Sequence, residues 1–242
     1  MRLWIDTDAG DHPDDTVALW CAARSDDVDL AGVSTVEGDV ARRAAFVREL
    51  LPGVEVVAGA PAPEQLANVD VLLGIGPWSN VAALGDAGAL PLRVVLMGGA
   101  LAPIRHRDRL IEVEYNVGSD PESAARLLRT TGNLIIVPLD ATARLLASER
   151  DEKFLANVIP GFGDQLDAWR AANGDLPFVL HDVAALLVAL GDRVARMESR
   201  RLTIDRDGTM RASVDGPLQY VVAHVDADET RARMRALAAE GD

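Results

Sequence analysis

Short apolar runs alternate with stretches that carry apolar residues at helical spacing from the N-terminus as far as Val137. The runs predict strands at 3–6, 30–35, 54–57, 71–73, 93–96 and 134–137. Between them the spacing predicts helices from Asp14 to about Ala23, over 41–51, from Ser79, and after Asp120-Pro121-Glu122. That last start carries an N-cap acid and a proline at the first helical position. After about Thr142 the rhythm becomes helical, near 149–157, 165–172 and 181–190. A hairpin is expected at 194–204 and 210–214 around Asp207-Gly208, then a strand at 219–225 and a terminal helix. Strand–helix alternation of this kind predicts an α/β fold: a mostly parallel open sheet flanked by helices, with a C-terminal hairpin and helix.

At 242 residues, 49% hydrophobic and 26% charged, the chain can bury one sizeable core, so residues 1–242 are expected to form a single domain. The net charge of −14, from 38 acids against 24 Lys and Arg, leaves no basic surplus for a nucleic-acid partner. Cys21 is the single cysteine, on an apolar helix face, which excludes a disulfide framework and fits a core thiol. The first strand begins at once, with no leader pattern, and the apolar stretch at 183–190 is too short to span a bilayer. A cytoplasmic protein without a membrane partner is therefore expected.

The first strand runs out into Asp6-Thr7-Asp8-Ala9-Gly10-Asp11-His12-Pro13-Asp14-Asp15. Carboxylates this dense repel one another unless water or a cation compensates them. A strand end opening into a helix is the ligand-binding edge of open α/β sheets, and a hard cation such as Ca²⁺ wants six to eight oxygens. Helix capping would account for Asp14 or Asp15 but not for Asp6 and Asp8 as well. Polar or glycine-rich segments recur at 35–39, 74–80, 97–99 and 140–142, after separate strands, and so suggest one shared cleft. Glu114 and Asn116, two apart in an expected extended segment, would face the same way and grip adjacent hydroxyls. His181-Asp182 opens a very apolar helix, where a buried carboxylate would suit a cation.

In order along the chain stand Asp-Thr-Asp-x-Gly-x-x-x-Asp-Asp, Val33-Ser-Thr-Val-Glu-Gly-Asp39, Gly76-Pro-Trp-Ser-Asn80 and Val95-Leu-Met-Gly-Gly99. Glu114-Tyr-Asn116 with Asp120-Pro-Glu122, Val137-Pro-Leu-Asp140 and Leu180-His-Asp182 follow. Together these resemble the inosine–uridine-preferring nucleoside hydrolases over about residues 2 to 190. The resemblance implies a nucleoside-hydrolase-like fold and Ca²⁺-dependent cleavage of a ribonucleoside, or a close analogue, to ribose and free base. It implies that Asp8, Asp15, Asp182 and the backbone carbonyl of Ile75 hold the Ca²⁺, with Asp8 also taking the proton of the attacking water. It further implies that Asp14, Asp39, Glu114, Asn116 and Asp182 bind substrate, that His181 acts on the base side, and that the chain forms homo-oligomers.

Three departures from the family pattern stand out. Two residues are inserted before Asp14-Asp15, leaving Asp11 without a role. Asp39 replaces an expected Asn and would add charge beside the cation. The segment from Gly59 to Val71 is too short for the usual His-containing flap, so a more open base side is expected. A strand followed by Asp-x-Asp also opens haloacid-dehalogenase-type phosphatases, with Asp6 as nucleophile, although Gly10 stands where a Thr or Val belongs. A non-catalytic nucleoside or ribose binder is the third reading.

Overall fold

The computed structural model describes residues 1–106, 109–174 and 177–240. In its first half β1 (Arg2–Thr7), α1 (Pro13–Arg24), β2 (Asp29–Thr35), α2 (Val40–Leu50) and β3 (Val56–Ala58) are followed by β4 (Val71–Gly74), α3 (Ser79–Asp86) and β5 (Arg93–Met97). A two-stranded hairpin comes next, β6 (Ile104–His106) and β7 (Arg109–Ile111), then α4 (Tyr115–Ser119), α5 (Pro121–Thr130) and β8 (Ile135–Val137). The remainder is α6 (Leu139–Thr142), α7 (Glu149–Val158), α8 (Phe162–Asn173), α9 (His181–Leu190), β9 (Ala195–Ile204), β10 (Met210–Ala212), β11 (Leu218–Val225) and α10 (Ala227–Ala239).

Among the described residues the main sheet runs β10-β9-β11-β8-β5-β4-β1-β2-β3. From β3 to β11 neighbouring strands are parallel, and the β9 pairings with β11 and β10 are antiparallel. Both faces are covered, as a parallel sheet requires. Period-two alternation sorts the strands between two cores: Leu3, Ile5, Leu73 and Val95 face one, Trp4, Leu72, Val94 and Leu96 the other. The chain winds outward from β1 through β2 to β3, then returns to place β4 on the opposite side of β1. The order therefore reverses between β1 and β4, and the crevice beyond their carboxyl ends is where such sheets bind ligands.

Asp120 caps α5 by accepting from Ser123 N at 3.0 Å, and α9 spans the residues its apolar pattern marks. Cys21 is a buried core residue, and that burial pushes its thiol up to about 12. No described helix is long and apolar enough to cross a membrane. Two expectations need correction. Glu114 and Asn116 do not lie in an extended segment: Glu114 is the N-cap of α4 and Asn116 sits in its first turn. The glutamate captures the Asn116 and Val117 N–H groups at 2.9 and 3.1 Å, which winds the chain into helix there. The stretch from Ile104 to Ile111, for which no element is expected, pairs with itself as the β6–β7 hairpin.

Candidate active site

Asp6 points away from solvent at the end of β1 and is 1% exposed. Its Oδ1 accepts from the Ser34 hydroxyl and from Asn80 Nδ2 at 2.9 Å, which ties β1, β2 and α3 together. Burial pushes its carboxyl up to about 7, against the opposing bonds from Asn80 and Ser34. A nucleophile must reach its substrate, and Asp6 lines no described cavity, so the phosphatase reading loses its attacking group.

Asp14 and Asp15 occupy the first turn of α1, and Asp182 the first turn of α9. One carboxylate oxygen from each lies within 4.8 Å of the others, and all three residues are buried. Asp8 lines the same cavity. Burial pushes Asp15 and Asp182 well above the usual carboxylate range, and the neighbouring acids add to it. Asp8 rises to about 6 through burial, with Arg43 opposing and Asp14 adding. Four acids share this cavity wall, and among the described residues the buried cation acting on Asp8 and Asp15 is Arg43. Like charges so close are compensated by protons or by a cation, and an all-oxygen donor set suits a hard divalent ion. The residues present therefore fit a metal site, with Asp14 standing nearer to the group than sequence reasoning placed it.

The loop is held from behind by groups to which sequence reasoning assigned no role. The Thr7 hydroxyl donates to Asp15 Oδ1 at 2.5 Å and accepts from Ala9 N at 3.1 Å. Arg43 donates to the carbonyls of Glu37 (2.8 Å), Ala9 (3.2 Å) and Asp8. Asp11 pairs with Arg42 at 2.8 Å and with Arg43 at 3.3 Å, so the unassigned acid braces the loop from outside the cavity.

The opposite wall comes from the ends of β4 and β5. A Cβ at Gly76 would stand 2.8 Å from Asp8 N and 3.1 Å from its Oδ1, so only glycine lets the acid loop lie against β4. Gly98, at φ +148, leaves the space that Trp78 Nε1 and Glu114 Oε2 fill. Glu114 accepts three backbone N–H bonds, from Gly99 at 2.8 Å and from Asn116 and Val117. Burial nonetheless pushes it up to about 7. Asn116 Nδ2 donates to the carbonyls of Ile75 and Met97, each at 3.2 Å, which leaves its Oδ1 as an acceptor toward the cavity.

These residues enclose about 590 Å³ lined by Asp8, Asp14, Asp15, Ile75, Glu114, Asn116, His181 and Asp182. An adjoining chamber of about 240 Å³ is walled mainly by Ile104, Ala143, Trp169, Phe178 and Val179. The β6–β7 hairpin supplies Ile104 and Ile111 to these walls, and its strands are too short to have given a strand signal. His181 lines both chambers, and its Nδ1 lies 2.7 Å from the buried Thr142 hydroxyl. Asp39 is not drawn in. It is exposed, its Oδ1 caps α2 by accepting from Arg42 N at 3.0 Å, and it lines neither chamber. A cap is the local use of an acid one residue before a helix, and it turns the charge away from the acid cluster.

Comparison with known proteins follows the same lines. A model of the family described as inosine-uridine preferring nucleoside hydrolase matches residues 54–234. Two uncharacterised Schizosaccharomyces pombe proteins are 27% and 26% identical, covering 85% and 70% of this chain and 81% and 71% of their own. The crystal structure of an inosine-uridine preferring nucleoside hydrolase from Bacillus anthracis superposes with a TM-score of 0.74 at 22% identity, covering 98% of both chains. A plant nucleoside hydrolase gives 0.79 at 16% identity, covering 98% of both chains. An inosine-guanosine nucleoside hydrolase gives 0.79 at 17%, covering 100% of this chain and 99% of that one.

Proposed function

Because the chain belongs to the inosine-uridine preferring nucleoside hydrolase family of N-glycosidases, we propose that it cleaves a ribonucleoside, or a close analogue, to ribose and free base with the help of Ca²⁺. The observation that carries this reading is the triad of buried carboxylates, Asp14, Asp15 and Asp182, facing a cavity that opens into an apolar chamber. Asp8, Asp15, Asp182 and the Ile75 carbonyl would hold the ion, which when bound supplies positive charge beside the ribose diol and the attacking water.

The chain's own groups do the remainder. Asp14, Glu114 and Asn116 hold ribose hydroxyls; Glu114 keeps one acceptor direction after its three backbone bonds, and Asn116 keeps Oδ1. The negative charge of the carboxylates among them favours the positive anomeric carbon of an oxocarbenium-like transition state. The bond from that carbon to the base nitrogen breaks with its electron pair going to the base, and His181 lies on that side to donate a proton. Water oxygen bonds to the anomeric carbon while Asp8 accepts the proton it sheds. Asp39 has no part in this reading, since its carboxylate caps α2. The whole of residues 1–242 acts as one unit, in the cytoplasm, as a homo-oligomer that returns ribose and base to salvage.

A hydrolysis screen over ribo- and deoxyribonucleosides in Ca²⁺ buffer, read by reducing sugar, tests the reading. Release from at least one ribonucleoside, abolished by chelation, is the expected result. Nucleoside binding with no sugar released would overturn it, as would full activity in the chelated protein.

A further inference from the structure

The acid-lined cavity and the apolar chamber share His12, Asp14, Ile111, Leu139 and His181 along their common edge. If the sugar sits among the acids, as the proposed function has it, the base enters the apolar chamber and the glycosidic bond crosses this edge. The polar side chains there are Asp14, which stands with the acid triad, and two imidazoles. His181 lies in the motif the family resemblance covers. His12 comes from the inserted stretch.

His12 is fixed in place by its surroundings. Asp11 before it is gripped by Arg42 and Arg43, and Pro13 after it is buried as the first residue of α1. Its carbonyl accepts from Gln165 Nε2 at 3.3 Å. Its ring stands edge-on to Trp169, centroids 5.7 Å apart at 63°, with Nδ1 3.8 Å from Asp14 Oδ1. Helix stability does not account for this side chain. It holds the N-cap position of α1 yet makes no capping bond, and it is 61% exposed.

We infer that His12 is a specificity-determining residue that hydrogen-bonds the near edge of the leaving base, in the span between sugar and ring. Among the described residues, the side chains lining the apolar chamber alone are hydrocarbon or aromatic, with the Trp169 indole the one that carries a polar atom. Apart from that indole N–H, a heteroaromatic base meets polar side chains here where it joins the sugar, at purine N3 or pyrimidine O2. Its far edge meets apolar walls, so recognition rests on the ring face and on that near edge. Exocyclic groups on the far edge should matter little.

The test is isothermal titration of the full chain in Ca²⁺ buffer with hypoxanthine, uracil and, separately, D-ribose. Native protein is compared with His12→Ala, His12→Gln and His12→Phe, with melting curves to check folding. His12→Ala should weaken base binding about tenfold, the worth of one hydrogen bond at a partly desolvated site, and leave ribose binding unchanged. His12→Gln should recover part of the loss. His12→Phe, which keeps the contact with Trp169 but carries no donor, should not. Base binding unchanged in His12→Ala, ribose binding reduced equally, or recovery by Phe would each overturn the inference. Absence of nucleoside hydrolysis by native protein would instead remove the proposed function, while the base titrations still decide the role of His12.

Discussion

The acid-lined cavity and the apolar chamber sit side by side and share one edge, yet they are built in opposite ways. The first draws named chemical groups to fixed places: Asp8 from the loop after β1, Asp14 and Asp15 from α1, Ile75 from the end of β4, Asp182 from α9. Specific partners brace two of them: Thr7 donates to Asp15, and Asn116 to the Ile75 carbonyl. The second needs only shape and hydrocarbon, taken from a short hairpin, from α8 and from the segment before α9. A charged site tolerates few substitutions because every buried carboxylate must be compensated. An apolar wall tolerates many, because area and volume are what it supplies.

The sharpest way to break this contrast is Asp8→Asn, which keeps the shape and removes the proton acceptor. Turnover should fall by about 10²–10⁴ while ribose affinity, by titration, changes far less. A nearly normal Asp8→Asn beside an inactive Asp11→Asn would assign the base to the wrong acid.

Next comes the interplay of pH and Ca²⁺. Asp8, Asp15, Asp182 and Glu114 are all raised in the fold. Each therefore contributes stability that is full below its unfolded value and is lost as pH rises through its folded one. In chelator the melting temperature should fall as pH climbs from the unfolded values of 3.8 and 4.5 through about 6 and 7, the folded values of Asp8 and Glu114. Added Ca²⁺ should stabilise the protein more at alkaline than at acid pH, by about 3 kcal/mol at a hundredfold excess over Kd. Asp182→Asn should remove that gain while leaving the chelated protein no less stable. A Ca²⁺ gain independent of pH, or intact in Asp182→Asn, would separate the ion from these acids.

A change confined to the apolar chamber should leave that Ca²⁺ response alone. Trp169→Ala is expected to raise KM for nucleosides about tenfold through lost aromatic contact, with the Ca²⁺-induced shift in melting preserved. Loss of both together would mean that the two chambers are not separable. The smallest effect belongs to Asp11→Asn, whose partner Arg42 is itself largely exposed. Activity within about threefold and stability within about 1 kcal/mol are expected, by steady-state kinetics and denaturant titration.

The fold was legible wherever one period dominated. In β1, Leu3 and Ile5 go to one core and Trp4 to the other, and α9 is too apolar to lie anywhere but inside. The hairpin was not legible, because its strands are three residues each and the sequence between them, Arg107-Asp108, is neither Asn-Gly nor Asp-Gly. Glu114 was read as gripping hydroxyls from an extended segment; a capping carboxylate looks the same in sequence until the N–H groups it accepts from are located. Asp39 reads as a site residue by motif position and serves as a helix cap in space.

By itself the sequence determined the class of fold and the stock of chemistry. Alternating burial forces strands and helices into a covered parallel sheet, and dense carboxylates at strand ends demand a cation, protons or water. The tertiary structure decided which acids meet. Asp182 joins Asp14 and Asp15 only because α9 packs on α1, while Asp6, eight residues from Asp14, turns inward to Ser34 and Asn80. It also decided that an apolar chamber exists beside them and that His12 stands on its edge, since contacts between distant elements leave no periodic trace along the chain.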